Sequence, residues 1–220
     1  MVIAIVVAAG EGKRMKEDIP KQFLLLGGRP ILWYSLSAFE KNPVINETIL
    51  VINPLWKKKG QEIAKEFSKI KYIVPGGKFR QESVWAGLKM IKNAEIVLVH
   101  DGVRPFISQK LIEAVIKGAY KYGAVVPALP VKETVKWVEG DIVKKTLPRD
   151  YIWLIQTPQG FKFDILKTAY LRFRKEIFTD DASLVEKLGI NVHVILGEQT
   201  NIKITIPQDL KWAEILLNFL

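Results

Sequence analysis

Apolar residues along this chain gather into short unbroken runs rather than alternating with polar ones. VIAIVVA (2–8), TILVIN (48–53), IKYIV (70–74), EIVLVH (95–100), GAVVPAL (123–129) and NVHVIL (191–196) have this form, which is expected of parallel strands covered on both faces. Between them apolar positions return every three or four residues. ESVWAGLKMIK (82–92) sets Val84, Leu88 and Ile91 on one helical face, and similar stripes run through 30–41, 56–68, 108–121, 163–175 and 207–219. Strand alternating with helix predicts an α/β fold of Rossmann-like form, a mostly parallel sheet flanked by helices with right-handed crossovers. A chain of 220 residues suits a single domain spanning 1–220.

The segment 130–156, PVKETVKWVEGDIVKKTLPRDYIWLIQ, breaks this rhythm. Two strand-like halves, ETVKWV and DIVKKTL, flank Glu139-Gly140, which predicts a β-hairpin arm with its turn at those residues. A two-stranded arm is marginal alone in water, so it needs a covering surface, and a second copy of the chain is the simplest source. An edge hairpin folded back on its own sheet is the alternative.

Composition narrows the chemistry. There are no cysteines and only two histidines, His100 and His193, which removes thiolate metal sites and cysteine nucleophiles and leaves a Ser-His-Asp arrangement with little support. Chemistry must rest on lysine, arginine, aspartate and bound metal. The 33 basic and 23 acidic residues give a net charge of +10, compatible with nucleic acid, an anionic surface or a polyanionic small substrate. The lysines are dispersed, Lys57 to Lys59 being the only tight run, and no basic helix or aromatic-basic motif speaks for a nucleic-acid partner. No run approaches the roughly 20 apolar residues of a membrane span, and the opening apolar run has no basic segment before it. The expectation is a cytoplasmic protein with neither nucleic-acid nor membrane partners.

In open α/β sheets ligands sit beyond the carboxyl ends of the strands, so the loops following the strands are read together. AAGEGKRM places Gly10 and Gly12 after the first strand, where glycine allows backbone N–H groups to approach phosphate oxygens. Neither the dinucleotide fingerprint nor a Walker pattern is present, since Met15 stands where a third glycine would be. Lys13, Arg14 and Lys21 share this loop and supply the cations that a phosphate chain needs, and Pro20 stiffens the backbone before Lys21. With Arg14 and Lys21 assigned to the phosphates, Lys13 and Lys16 are left unassigned and are expected to be ordinary surface charge. VLVHDGVRPF puts Asp101 at a strand end, placed to hold Mg²⁺ directly or through water, with Arg104 to brace the loop or a phosphate. Ser108 is available to cap the helix that follows. PGGKFRQES brings Gly76, Gly77, Arg80 and Ser83, with Ser83 either bonding a planar base or capping a helix.

Six ordered motifs, AAGxGxRM, PKQF, VHDGVRPF, QTPQ, TDDAS and NIKIT, resemble the cytidylyltransferase family of the non-mevalonate isoprenoid pathway, whose members make 4-diphosphocytidyl-2-C-methyl-D-erythritol. The resemblance covers essentially the whole chain. It implies a nucleotidyltransferase-type fold and a homodimer with interlocked arms. CTP would be held by Ala8, Ala9, Gly10 and Gly12 of the first loop, by Gly76, Gly77 and Ser83, and by Asp101 and Gly102. Arg14, Lys21 and Lys203 would act on the phosphates, with Mg²⁺ or another divalent cation at Asp101. Methylerythritol phosphate would meet Asp101, Arg104, Thr157, Thr179 and Lys203, and, from the partner subunit, residues matching Thr134 and Arg149. Relatives that couple CTP to ribitol or ribulose phosphate usually resemble AGG where this chain reads AAG and lack the TDDAS form; they remain the alternative. A phosphomonoester oxygen is already a nucleophile, so the implied reaction asks for cations and alignment rather than a side-chain base.

Overall fold

The computed structural model describes residues 1–15, 17 and 19–219. Lys16, read above as surface charge, lies outside the described residues, as do Asp18 and Leu220, and Lys13 is described only in its backbone. The strands are β1 (Val2–Ala8), β2 (Leu25–Leu26), β3 (Arg29–Pro30), β4 (Glu47–Ile52), β5 (Ile70–Pro75), β6 (Ile96–Asp101), β7 (Ala124–Pro130), β8 (Val135–Glu139), β9 (Ile142–Leu147), β10 (Trp153–Ile155), β11 (Gln159–Lys162) and β12 (His193–Leu196). The helices are α1 (Ile31–Lys41), α2 (Lys57–Ala64), α3 (Arg80–Leu88), α4 (Gln109–Tyr122), α5 (Phe163–Phe173), α6 (Asp181–Lys187) and α7 (Pro207–Leu217).

The main sheet runs β10-β7-β11-β6-β1-β4-β5, with β12 also paired to β7. The pairs among β6, β1, β4 and β5 are parallel, as is β12 with β7. Successive residues of β1 and β6 feed opposite faces: Ala4, Val6, Ile96 and Leu98 join a core with α1, α2 and α4, while Ile3, Ile5, Val97 and Val99 join another with α3, α5 and α6. Both faces are covered, which is why these strands read as unbroken apolar runs. Ser108 caps α4, accepting the Leu111 N–H at 3.0 Å. Among the described residues no helix is long and apolar enough to cross a membrane.

Strand order places the ligand crevice. The chain moves outward from β1 to β4 and β5, then returns through α3 to β6 on the other side of β1. Connections therefore diverge between β1 and β6, the position at which an open α/β sheet leaves a crevice at its carboxyl edge.

Two short strands of the main sheet escape the hydrophobic pattern. β10 and β11, at only three and four residues, both run antiparallel to β7, and β11 lies wedged between β7 and β6. The segment 130–156 is therefore only partly an arm, because Pro130 ends β7 and Trp153–Ile155 returns to the main sheet as β10. The hairpin proper is β8 with β9, and its turn is Gly140-Asp141 rather than Glu139-Gly140, since Glu139 still pairs with Ile142. Gly140 supplies the positive φ of 62° that this tight turn demands.

Gly160, in β11, is a close-packing requirement, since a Cβ there would stand 2.6 Å from Val115 Cγ1 and 3.2 Å from the Val115 carbonyl oxygen on α4. Gly160→Ala should destabilise the fold by about 1–3 kcal/mol, seen as a lower urea midpoint at unchanged slope; an unchanged midpoint would mean that α4 yields without cost.

Candidate active site

The loop after β1 is folded back on itself. Lys13–Met15 and Lys21–Phe23 each form a 3-10 turn, and Gly12 leads into the first at φ 71°. A side chain at Gly12 would be strained and would press on the Lys21 backbone nitrogen at 3.1 Å. Gln22 closes the loop: its Nε2 donates to the carbonyls of Ala8 at 2.7 Å and Gly10 at 3.0 Å. Lys21 is thereby fixed with only 9 % of its surface exposed. Burial, then the positive charges of Lys203 and Arg14, lower its ammonium from 10.5 to about 8.

At the end of β6 the Asp101 carboxylate collects cations. Arg80 Nε donates to Oδ1 at 2.9 Å, Lys203 Nζ lies 2.7 Å from Oδ2, and Arg104 Nε stands 4.0 Å from Oδ2. Burial alone would raise this acid, but Arg80, then Lys203 and Arg104, hold it far below the ordinary carboxylate range. Buried His100 is pushed down to about 4, first by desolvation, and so is neutral. Its Nε2 faces the Arg104 carbonyl at 3.2 Å and its Nδ1 faces the Thr157 hydroxyl at 3.2 Å. A neutral ring fits both contacts when Nε2 carries the proton and Thr157 donates to Nδ1. The same Thr157 oxygen accepts the Asp101 N–H at 3.1 Å.

Lys203 reaches Asp101 because the NIKIT segment is pinned on two sides. Ile204 N donates to the Val103 carbonyl at 2.9 Å, Arg104 Nη1 donates to the Asn201 carbonyl at 2.7 Å, and Asn201 Nδ2 donates to the Thr157 carbonyl at 2.9 Å. Gln156 adds a bond to the Glu198 carbonyl at 2.8 Å.

Two cavities result. The larger, about 580 Å³, is lined by Ala8, Ala9, Gly10, Gly12, Arg14, Lys21, Gly77, Asp101 and Lys203 of the sequence-predicted set, together with Gln22, Asn53, Lys78, Phe79 and Arg80. Five cations (Arg14, Lys21, Lys78, Arg80, Lys203) face two acids (Glu11, Asp101) around it. The smaller, about 150 Å³, is lined by Asp101, Arg104, Thr157, Thr179 and Lys203, all expected, and also by Arg80, Gln156, Gln159 and Asp180. Arg80, Asp101 and Lys203 line both. The buried Arg104 Nε has no hydrogen-bond partner.

The remaining predicted residues lie elsewhere. Gly76 packs on Ala9, Gly102 on Leu32 and Ala8, and neither lines a cavity. Ser83 lines neither cavity, and it does not cap a helix, because α3 already begins at Arg80; its hydroxyl accepts the Gly77 N–H at 3.1 Å and donates to the Phe79 carbonyl at 3.2 Å, shaping the loop. Thr134 and Arg149 stand on the arm, exposed and outside both cavities, with Arg149 donating to the Lys132 carbonyl at 2.8 Å. Arg80 is the site residue that sequence reasoning undervalued; a cation opening the helix after a double glycine was the available signal.

Comparison with known proteins places this geometry. A family model described as 2-C-methyl-D-erythritol 4-phosphate cytidylyltransferase matches residues 2–218. The chain is 44 % identical over 217 residues to the protein of that name from Halalkalibacterium halodurans, covering 97 % of this chain and 95 % of the relative. It superposes with a TM-score of 0.88 on the crystal structure of 4-diphosphocytidyl-2C-methyl-D-erythritol synthase from Anaerococcus prevotii, at 36 % identity, covering 99 % of this chain and 96 % of the other. The Thermus thermophilus 2-C-methyl-D-erythritol 4-phosphate cytidylyltransferase gives 0.81 at 36 % identity, covering 99 % and 100 %.

Lys21 links anion binding to pH. A polyphosphate beside it favours the ammonium form and raises the pKa back from about 8, so binding takes up a proton only above that pH. Below it Lys21 is already charged and contributes no pH dependence; above it the affinity for inorganic triphosphate should fall by up to about tenfold per pH unit. Titration calorimetry in buffers of different ionisation enthalpy should report the proton uptake, and Lys21→Met should abolish it. Equal uptake in that variant would assign the proton to another group.

Proposed function

The chain belongs to the 2-C-methyl-D-erythritol 4-phosphate cytidylyltransferase family, and from that premise we propose that it transfers CMP from CTP to 2-C-methyl-D-erythritol 4-phosphate and releases pyrophosphate. One observation carries the reading: the two cavities share a wall made of Arg80, Asp101 and Lys203. A donor in the larger cavity and an acceptor phosphate in the smaller one would meet at that wall.

The triphosphate is bound along Arg14 and Lys21, and the base lies toward the Gly77 loop. The acceptor phosphate enters the smaller cavity, where the Arg104 and Lys203 side chains on its wall supply positive charge. Its oxygen attacks the α-phosphorus, the bond to the β-phosphate oxygen breaks, and pyrophosphate carries away the electron pair. No proton need be removed from the nucleophile, which is consistent with a neutral, enclosed His100 that serves as scaffold. Lys21 and Lys203 oppose the charge that builds on the α-phosphoryl oxygens. Lys203 waits on Asp101, which stops it from folding away before the acceptor arrives.

A divalent cation such as Mg²⁺ fits the donor set in one way. Among the described residues no cluster of three or more His, Cys, Asp or Glu could cage an ion, so the metal would be held chiefly by the nucleotide's phosphates, with Asp101 as the facing carboxylate. When bound it would neutralise phosphate charge. Both Asp101 oxygens already serve Arg80 and Lys203, which favours contact through water.

We further propose a homodimer. The arm carries Trp137 and Ile142 with 53 % and 59 % of their surfaces exposed, an apolar surface that a second copy can cover, bringing Thr134 and Arg149 toward the partner's acceptor cavity. The reading also places the protein in the cytoplasm, where CTP is made and kept.

Lys21→Ala or Lys203→Ala should lower kcat/KM for pyrophosphate release by about 100-fold or more while the fold survives; near-normal rates would refute the assigned roles. Among acceptors, methylerythritol phosphate should have the highest kcat/KM, and preference for ribitol or ribulose 5-phosphate would reverse the substrate assignment. For the dimer, Lys21→Ala and Arg149→Ala chains, each inactive alone, should recover roughly a quarter of wild-type activity when mixed, since one site in each mixed dimer is intact. No recovery after verified subunit exchange would rule out a shared site.

A further inference from the structure

Two enclosed groups line neither cavity: the Asp181 carboxylate and the Tyr170 phenol, both 0 % exposed. The TDDAS segment gives its consecutive aspartates different duties. Asp180 Oδ1 accepts the Ser183 N–H at 3.1 Å and caps α6, while its Oδ2 accepts from Gln159 at 2.7 Å. Asp181 turns inward, its Oδ1 accepting the Tyr170 O–H at 2.5 Å and its Oδ2 accepting Arg80 Nη1 at 2.7 Å. Arg80 continues to Asp101 Oδ1 through Nε at 2.9 Å, and Asp101 Oδ2 meets Lys203 at 2.7 Å. Four contacts thus join Tyr170, Asp181, Arg80, Asp101 and Lys203 across α5, α6, α3, β6 and the segment before α7.

The arrangement answers a competition. A guanidinium prefers to take both oxygens of a carboxylate through its planar fork. Released from other ties, Arg80 could rotate into that two-fold bond with Asp101 and displace Lys203, or swing onto an incoming phosphate. Asp181 opposes both motions by holding Nη1, so that the guanidinium cannot turn without breaking that bond, and Tyr170 keeps Asp181 from turning, because its O–H occupies the second oxygen. Asp101 then has one oxygen for Arg80 and one for Lys203.

We propose that Asp181 and Tyr170 are positioning residues: they lock Arg80 in the orientation that leaves one Asp101 oxygen to Lys203, and so set where the Lys203 ammonium waits for the acceptor phosphate. This rests on the cytidylyl-transfer reading. Asp181→Asn removes one of the two carboxylates that hold the partly buried Arg80 and places a neutral amide in an enclosed site, which risks destabilising the chain, so Tyr170→Phe is the sharper variant. It keeps the ring stacked on Trp85, at 5.8 Å between centroids, and deletes only the O–H.

In Tyr170→Phe, kcat should fall about tenfold or more, with KM for CTP within about twofold of wild type. The Arg80 Nε–H resonance in ¹⁵N spectra should exchange with water faster. Combined with Lys203→Ala, the variant should add little to the loss caused by Lys203→Ala alone. Wild-type kcat in folded Tyr170→Phe, or losses that multiply in the double variant, would overturn the proposal. A wild-type chain that transfers no CMP to any acceptor would sink the functional reading instead; the Arg80 Nε–H exchange then decides alone, with an unchanged rate in Tyr170→Phe meaning that no such lock exists.

Discussion

The Asp101 carboxylate, closed in at the end of β6, is the charge around which the site is built. Without it Arg80, Arg104 and Lys203 would repel one another at the mouth of a sheet. With it, three cations from three parts of the chain converge on one point, Lys203 at 2.7 Å and Arg80 at 2.9 Å. Their combined positive charge exceeds that of the acid, and the surplus is what an anionic ligand meets. Beside it Lys21 is lowered to about 8 first by burial and then by the charges of Lys203 and Arg14. The site stores electrostatic repulsion that bound phosphates relieve, the condition for preorganised stabilisation of charge in a transition state.

Much of this could be read from the chain because the fold makes its demands locally. Runs such as VIAIVVA and EIVLVH must be apolar throughout, since one half of each faces α1, α2 and α4 and the other half faces α3, α5 and α6. The loops carrying Gly10, Gly12, Lys21 and Asp101 follow directly on such runs. What could not be read was either too short to have a period, as with β10 and β11, or depended on contacts between distant segments. The Arg80–Asp181 pair spans 101 positions, and nothing in the order of residues distinguishes Asp181 from Asp180. The contacts of Ser83 were hidden for the same reason: that its hydroxyl bonds the Gly77 N–H and the Phe79 carbonyl depends on where α3 begins.

The arm poses the converse case. Its sequence gave away the hairpin but not its limits, because β10 returns to the main sheet three residues at a time, and its turn is set by the one residue, Gly140, able to take φ 62°. Its apolar surface and the exposed Arg149 gain a purpose in the proposed dimer, where a second chain would cover them. On that view folding, association and catalysis are coupled through one insertion, while the donor side of the site, built from the loop after β1, is complete within a single chain.

The central claim is that donor and acceptor phosphates occupy separate cavities and meet at the wall of Arg80, Asp101 and Lys203. A crystal structure with a non-hydrolysable CTP analogue and methylerythritol phosphate tests it most directly. The account predicts the triphosphate against Arg14 and Lys21, the acceptor phosphate beside Arg104, and Lys203 moved from Asp101 toward the α-phosphate. Both ligands in one cavity, or a Lys203–Asp101 pair untouched with the two phosphates on opposite sides of it, would contradict it.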